Sequence, residues 1–264
     1  MAPQRLRLRN VFSDLVVGAQ PSLLPQAAAP LPLAARAEPR LQRRPWSLSW
    51  LPLTWLAVAL VCLPVFVQAP WVHSHPLAAT LATAPLLATG IVLGLSEQPQ
   101  RQQIGALLVG FAGSWLCGSL FWGWCRQHPL IHLPIECLAL PWALAGLRSR
   151  WKLAGAFYLA SLVGTAATDA AMALTGVMAL WPQVLQASPS EAGALLSLAA
   201  QQLLHPGHLA VIGGFAAGLL GLARWLWLQG GIARVSAATL AATLAIDGLF
   251  LALALSAPGW SGVL

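Results

Sequence analysis

The chain has 264 residues, 58% of them apolar and only 8% charged, with a formal net charge of +7. A water-soluble domain carries about a quarter charged residues because its whole surface faces water, so a soluble enzyme or soluble binding module is excluded and an integral membrane protein is implied. The basic excess does not indicate nucleic-acid binding, because the placement of the basic residues is accounted for by membrane orientation.

Residues 1–49 form a segment of their own. They carry Arg5, Arg7, Arg9, Arg36, Arg40, Arg43 and Arg44 against Asp14 and Glu38, with a Pro/Ala/Leu stretch between the two arginine groups. The expectation is a disordered cytoplasmic arm lying on anionic headgroups. A transit peptide would share the arginines, but no clear small-residue cleavage signal follows them.

Seven segments, at about 50–68, 77–95, 104–125, 129–147, 153–180, 209–228 and 235–257, approach or exceed the ~20 apolar residues that a span needs. The fourth contains Pro129, Pro134 and Pro141. Proline removes a helical hydrogen bond, so this segment is either a kinked span or a re-entrant one. Charge decides between them. With seven spans and the N-terminus inside, thirteen of the fourteen basic residues are cytoplasmic and only Arg126 is outside. A re-entrant fourth segment would split them eight to six and leave no orienting bias. The predicted fold is therefore an all-α polytopic bundle over 50–258, with a short outer tail at 259–264. Ten of the thirteen tryptophans lie near predicted span ends, where indole favours the headgroup level, and only Trp55, Trp115 and Trp142 lie deeper.

The outer loop before the sixth span contains one more helix, at about 189–204. Ser188-Pro189-Ser190-Glu191 reads as a capping box with proline at the first helical position, and His205-Pro206-Gly207 ends the run. A leucine-bearing helix without basic residues is expected to lie in the outer interface. Gly110, Ser114 and Gly118 repeat at four residues, as do Gly214 and Gly218. Such stripes let helix backbones approach, with internal packing as the expected use and self-association as the alternative. Cys62, Cys117, Cys125 and Cys137 form no CxxC pair and read as small apolar residues.

Glu136, Asp169 and Asp247 each fall near the middle of a predicted span. A charge at that depth costs ~3 kcal/mol on the most lenient scale, so these acids are expected to face a shared cavity or a partner. They read as proton-relay or cation-binding groups. The plainer reading is a neutral acid bonded across helices to Ser161, Thr165 or Thr168. The six histidines all fall on the predicted outer side as His73 and His75, His128 and His132, and His205 and His208. Converging pairs would hold a transition-metal ion on the outer face, and interface histidines serving as pH sensors or as simple surface residues are the alternatives. The stretch HPLIHLPIE at 128–136 would lead from an outer histidine pair to a mid-membrane carboxylate. There is no phosphate-binding GxxxxGK[ST], no GxSxG and no HExxH, so no catalytic residue stands out and a non-enzyme is expected.

The stretch HPLIHLPIECLALPWALAGLRSRWKLAGAFYLASLVGT, with the spans around it, resembles a cyanobacterial family of multi-pass membrane proteins with a domain of unknown function, over roughly residues 50–255. The resemblance implies the plasma or thylakoid membrane of a phototroph and carries over no functional residue. Three readings follow. The first is a small proton- or metal-ion-coupled carrier or channel using the three acids and the outer histidines. The second is a structural or assembly subunit, with membrane-protein partners or a second copy docked on small-residue stripes. The third is an intramembrane enzyme acting on a lipid or isoprenoid.

Overall fold

The computed structural model describes residues 50–257, and every regular element among them is helical. The basic arm expected over 1–49 and the outer tail at 259–264 lie outside the described residues. Seven helices are long and apolar enough to cross a membrane: α1 (Leu51–Ser74), α2 (Pro76–Gly94), α3 (Pro99–Cys125), α4 (Pro129–Leu147), α5 (Lys152–Leu174), α8 (Pro206–Gln229) and α9 (Ile232–Ser256). Two shorter helices, α6 (Trp181–Gln186) and α7 (Pro189–Leu203), connect α5 to α8. A polytopic all-α bundle is what the sequence pattern predicts, and its boundaries shift for identifiable reasons.

Helix α1 runs on past the expected residue 68 to Ser74. Pro64 has no N–H to give, and the chain widens into a π-turn over Pro64–Gln68, in which the Ala69 N–H reaches the Pro64 carbonyl. Helix α3 begins at Pro99 rather than 104, because Gln98 is extended and proline is suited to a first helical turn. Helix α5 stops at Leu174 rather than 180. Gly176 has φ +74°, and this left-handed residue ends the α-helix before a 3₁₀ turn at Val177–Leu180. The three prolines break α4 into a 3₁₀ turn, an α-turn at His132–Glu136, a second 3₁₀ turn and a last α-segment from Leu140. The capping box before α7 forms as read. The Ser188 hydroxyl donates to Glu191 at 2.6 Å and its backbone N–H at 3.0 Å, and together they hold this carboxyl below the usual carboxylate range.

Helices α1, α3, α5 and α9 meet in one core containing Ala57, Leu107, Phe111, Phe157 and Val235. Helix α3 is the most enclosed, with 61% of its apolar window buried against 11% for α4 and for α8. The outer surfaces of α4 and α8 therefore face lipid. Deep-lying Trp115 is buried and donates its indole N–H to the Ala79 carbonyl at 2.8 Å, whereas Trp55 and Trp142 are exposed on the lipid side.

The glycine stripes divide. A side chain at Gly110 would meet the Ala154 carbonyl at 2.5 Å, so this residue lets α3 touch α5. Gly118 faces the Gln68 amide. Gly214 and Gly218 meet nothing within 4 Å, so the expected internal packing does not hold for them. They lie on a side of α8 that no other described helix covers.

The crossings can be tested directly. Three helices, α3, α4 and α5, separate Ser96 from Ser190. A cysteine at position 96 should be labelled from the cytoplasmic side and one at position 190 from the outer side. Labelling of both from one side would return the fourth segment to the re-entrant class.

Candidate functional site

The α-turn His132–Glu136 is the first of the two α-helical pieces of α4, and its four-residue spacing puts both side chains on one face towards α5. There His132 meets Asp169. Its Nδ1 stands 3.0 Å from Oδ2 and 3.2 Å from Oδ1 of that carboxyl. On the other ring edge Nε2 lies 3.8 Å from Glu136 Oε1. One imidazole thus bridges two acids on two helices. Glu136 is only 8% exposed. Its backbone carbonyl accepts a hydrogen bond from the Tyr158 hydroxyl of α5, which fixes the turn. Phe121, in the π-turn at Phe121–Cys125 of α3, stacks beside the imidazole with ring centroids 4.2 Å apart.

Asp247 of α9 joins this group through the neighbour of Asp169. Thr168 Oγ1 donates to Asp247 Oδ2 at 2.7 Å, and Asp247 lies within electrostatic range of Asp169. Consecutive residues of α5 therefore make two polar links, Asp169 towards α4 and Thr168 towards α9. Hydrogen bonds between helices in lipid typically contribute ~0.6–2 kcal/mol each, so both links also hold the bundle together. The structure brings Glu136, His132 and Asp169 into contact and sets Asp247 one hydrogen bond away.

Among the described residues no three His, Cys, Asp or Glu side chains are grouped to hold a metal ion. His73 instead takes a hydrogen bond at Nδ1 from Arg126 Nη1, 2.6 Å away. His208 Nδ1 donates to the Gln202 carbonyl, and its ring lies 5.7 Å from that of His205 on the same helix end. His75 and His128 are exposed. The partners differ from pair to pair: His73 is bonded to Arg126 of the next outer connection, His208 to the Gln202 carbonyl, and His132 to Asp169 inside the bundle.

Sequence reasoning missed three contributors. Tyr158 and Phe121 support the His132 turn, and no motif marks either. Gln68, 1% exposed, donates to the Trp115 carbonyl at 2.5 Å and to Ser119 Oγ at 2.7 Å. Being uncharged, it drew no attention, yet a buried amide inside a hydrophobic span is itself a signal.

A family model described as a protein of unknown function (DUF3120) matches residues 57–255, and the chain belongs to that family. Neither the curated proteins nor the solved structures contain a match to the chain.

Proposed function

We propose that this member of the DUF3120 family is a small proton-coupled carrier, in which His132 passes protons between Glu136 and Asp169. The observation that carries the reading is the imidazole held between two carboxyls inside the bundle. Imidazole can accept a proton at one nitrogen and release one from the other, which makes it a bridge between acids. A proton leaving the Glu136 carboxylic acid for Nε2 leaves a carboxylate and an imidazolium. Release from Nδ1 to Asp169 then restores a neutral ring. The 3.8 Å on the Glu136 side exceeds a hydrogen bond, so that step needs a small side-chain rotation or one bridging water. The plasma or thylakoid membrane of a phototroph is the setting that the sequence resemblance implies. The metal-coupled form of the carrier has no support in the histidine geometry.

The test is proton flux into liposomes holding the purified protein and an internal pH-sensitive dye, driven by an imposed membrane potential. His132→Ala should slow the protein-dependent flux at least tenfold. Wild-type flux equal to that of empty liposomes, or unchanged flux in His132→Ala, would remove the relay.

One observation favours the assembly-subunit reading as second. Gly213, Gly214, Gly218 and Gly221 of α8 all face open space. A second copy or another membrane protein could approach there as closely as α3 approaches α5. Purification in a mild detergent as a stable multi-subunit complex would favour this reading.

A further inference from the structure

Between α5, α6, α7, α8 and α9 lies a half-open pocket of about 490 Å³. That volume lies within the ~300–1,000 Å³ range of small-molecule sites. Its wall is almost wholly apolar, with Met172, Val177, Leu196, Leu203, Phe215 and Leu251 among the lining residues. Among the described residues no Lys, Arg or His lines it, and the only ionisable one that does is Asp247, with Thr168 at its side. The Thr168 hydroxyl satisfies Oδ2 of that carboxyl, and no donor among the described residues is in hydrogen-bonding contact with Oδ1. Helix α7 lines one side of the pocket with Leu196, Ala199, Ala200 and Leu203, opposite α8 and α9, so several helices and not a bare helix face form the site.

We infer that this cavity binds a lipophilic amine, with the apolar body against the α5–α8 wall and the ammonium head on Asp247. The chemistry follows from what the site lacks. A carboxyl in apolar surroundings stays a neutral acid unless a cation pairs it. Among the described lining residues Asp247 meets one neutral hydroxyl and no cation. An ammonium group brings both a positive charge and N–H donors for the free oxygen. An alcohol head would supply the donor without the charge, and a lipid chain would supply neither. As a binding site the assignment is independent of the relay. As the cargo of the carrier it rests on the function proposed above, since Asp247 lies one hydrogen bond from the residue beside Asp169.

The test uses the full chain in detergent, immobilised, with radiolabelled dodecylamine read by scintillation proximity. The probe is protonated at neutral pH, as a lysine amine is. Binding should saturate, and unlabelled dodecylamine should displace the label at least tenfold better than dodecanol. Asp247→Asn retains an acceptor for Thr168 but loses the charge, and should weaken binding at least tenfold. Leu196→Trp fills the cavity without touching the acid and should abolish binding. Equal displacement by dodecanol, or full binding in either variant, overturns the inference. So does non-saturable uptake, the mark of a cavity filled by bulk lipid. No membrane gradient is present in this assay, so its failure is distinct from failure of the proton flux.

Discussion

Gly105→Ala should markedly lower the thermal stability of the purified protein, whereas Gly218→Ala should leave it unchanged or raise it. A Cβ at Gly105 would stand 2.2 Å from the Gly94 nitrogen, 2.5 Å from the Gly90 carbonyl oxygen and 2.7 Å from the Leu93 carbonyl carbon. All three atoms are α2 backbone. No side chain can rotate away, so α2 must move from α3 as a unit, and overpacking of this kind costs ~1–3 kcal/mol. Alanine's better helix propensity returns at most ~1 kcal/mol of this. At Gly218 nothing lies within 4 Å, and only the propensity gain remains. Gly155 belongs with Gly105, because a Cβ there would meet the Ala143 carbonyl oxygen at 2.4 Å and push α4 from α5. Thermal unfolding in detergent, followed by tryptophan fluorescence, compares these variants. Equal midpoints for Gly105→Ala and Gly218→Ala would mean that close backbone contact does not hold this bundle together.

The comparison also shows what small-residue spacing can convey. Gly110 with Gly118, linked through Ser114, and Gly214 with Gly218 carry the same four-residue signal. One pair sits against neighbouring residues of the bundle and the other faces outward. Spacing records that a helix face is smooth, and not whether the surface it meets belongs to the same chain. Gly90 and Gly94 have the spacing too, and it is their backbone that a side chain at Gly105 of α3 would strike, while a side chain at Gly94 would meet the Trp151 ring. Gly105 stands alone in sequence, so only the packed helices reveal it.

Other features were legible because they are local. Helix-scale apolar runs mark the seven crossings, the three prolines of α4 mark its interruptions, and Ser188 with Glu191 marks the start of α7. Local too is the shared face of His132 and Glu136, fixed by the five-residue α-turn that holds both. The pairing of His132 with Asp169 is of another kind. It depends on how α4 is rotated and how deep it lies against α5, which Tyr158 and Phe121 help to set from outside the motif. Thr168 was one of three hydroxyls that could meet an acid, and only the packing of α5 on α9 selects it for Asp247. The partners of the histidine pairs were hidden for the same reason. Arg126 meets Nδ1 of His73 and the Gln202 carbonyl accepts from Nδ1 of His208, contacts that spacing in the sequence does not announce.

Glu136→Gln should abolish protein-dependent proton flux while leaving expression and thermal stability close to wild type. Glutamine matches glutamate in shape and leaves the backbone carbonyl that receives the Tyr158 hydrogen bond untouched. The His132–Asp169 contact does not involve the Glu136 side chain, so the bridge between α4 and α5 should persist. What disappears is an exchangeable proton. An amide neither releases a proton to Nε2 nor takes one back, so His132 has nothing to pass to Asp169 and the flux should fall at least tenfold. If Glu136 were only a neutral acid satisfying local partners, an amide would satisfy similar ones and the substitution would be nearly silent. Tyr158→Phe separates positioning from exchange. It keeps both acids and the imidazole but frees the turn that aims them, and should give a partial loss with a reduced melting temperature. The decisive measurement is the flux of Glu136→Gln beside its unfolding midpoint. A stable, fully conducting protein would leave His132 as a structural bridge, and a destabilised one that conducts in proportion to its folded fraction would do the same.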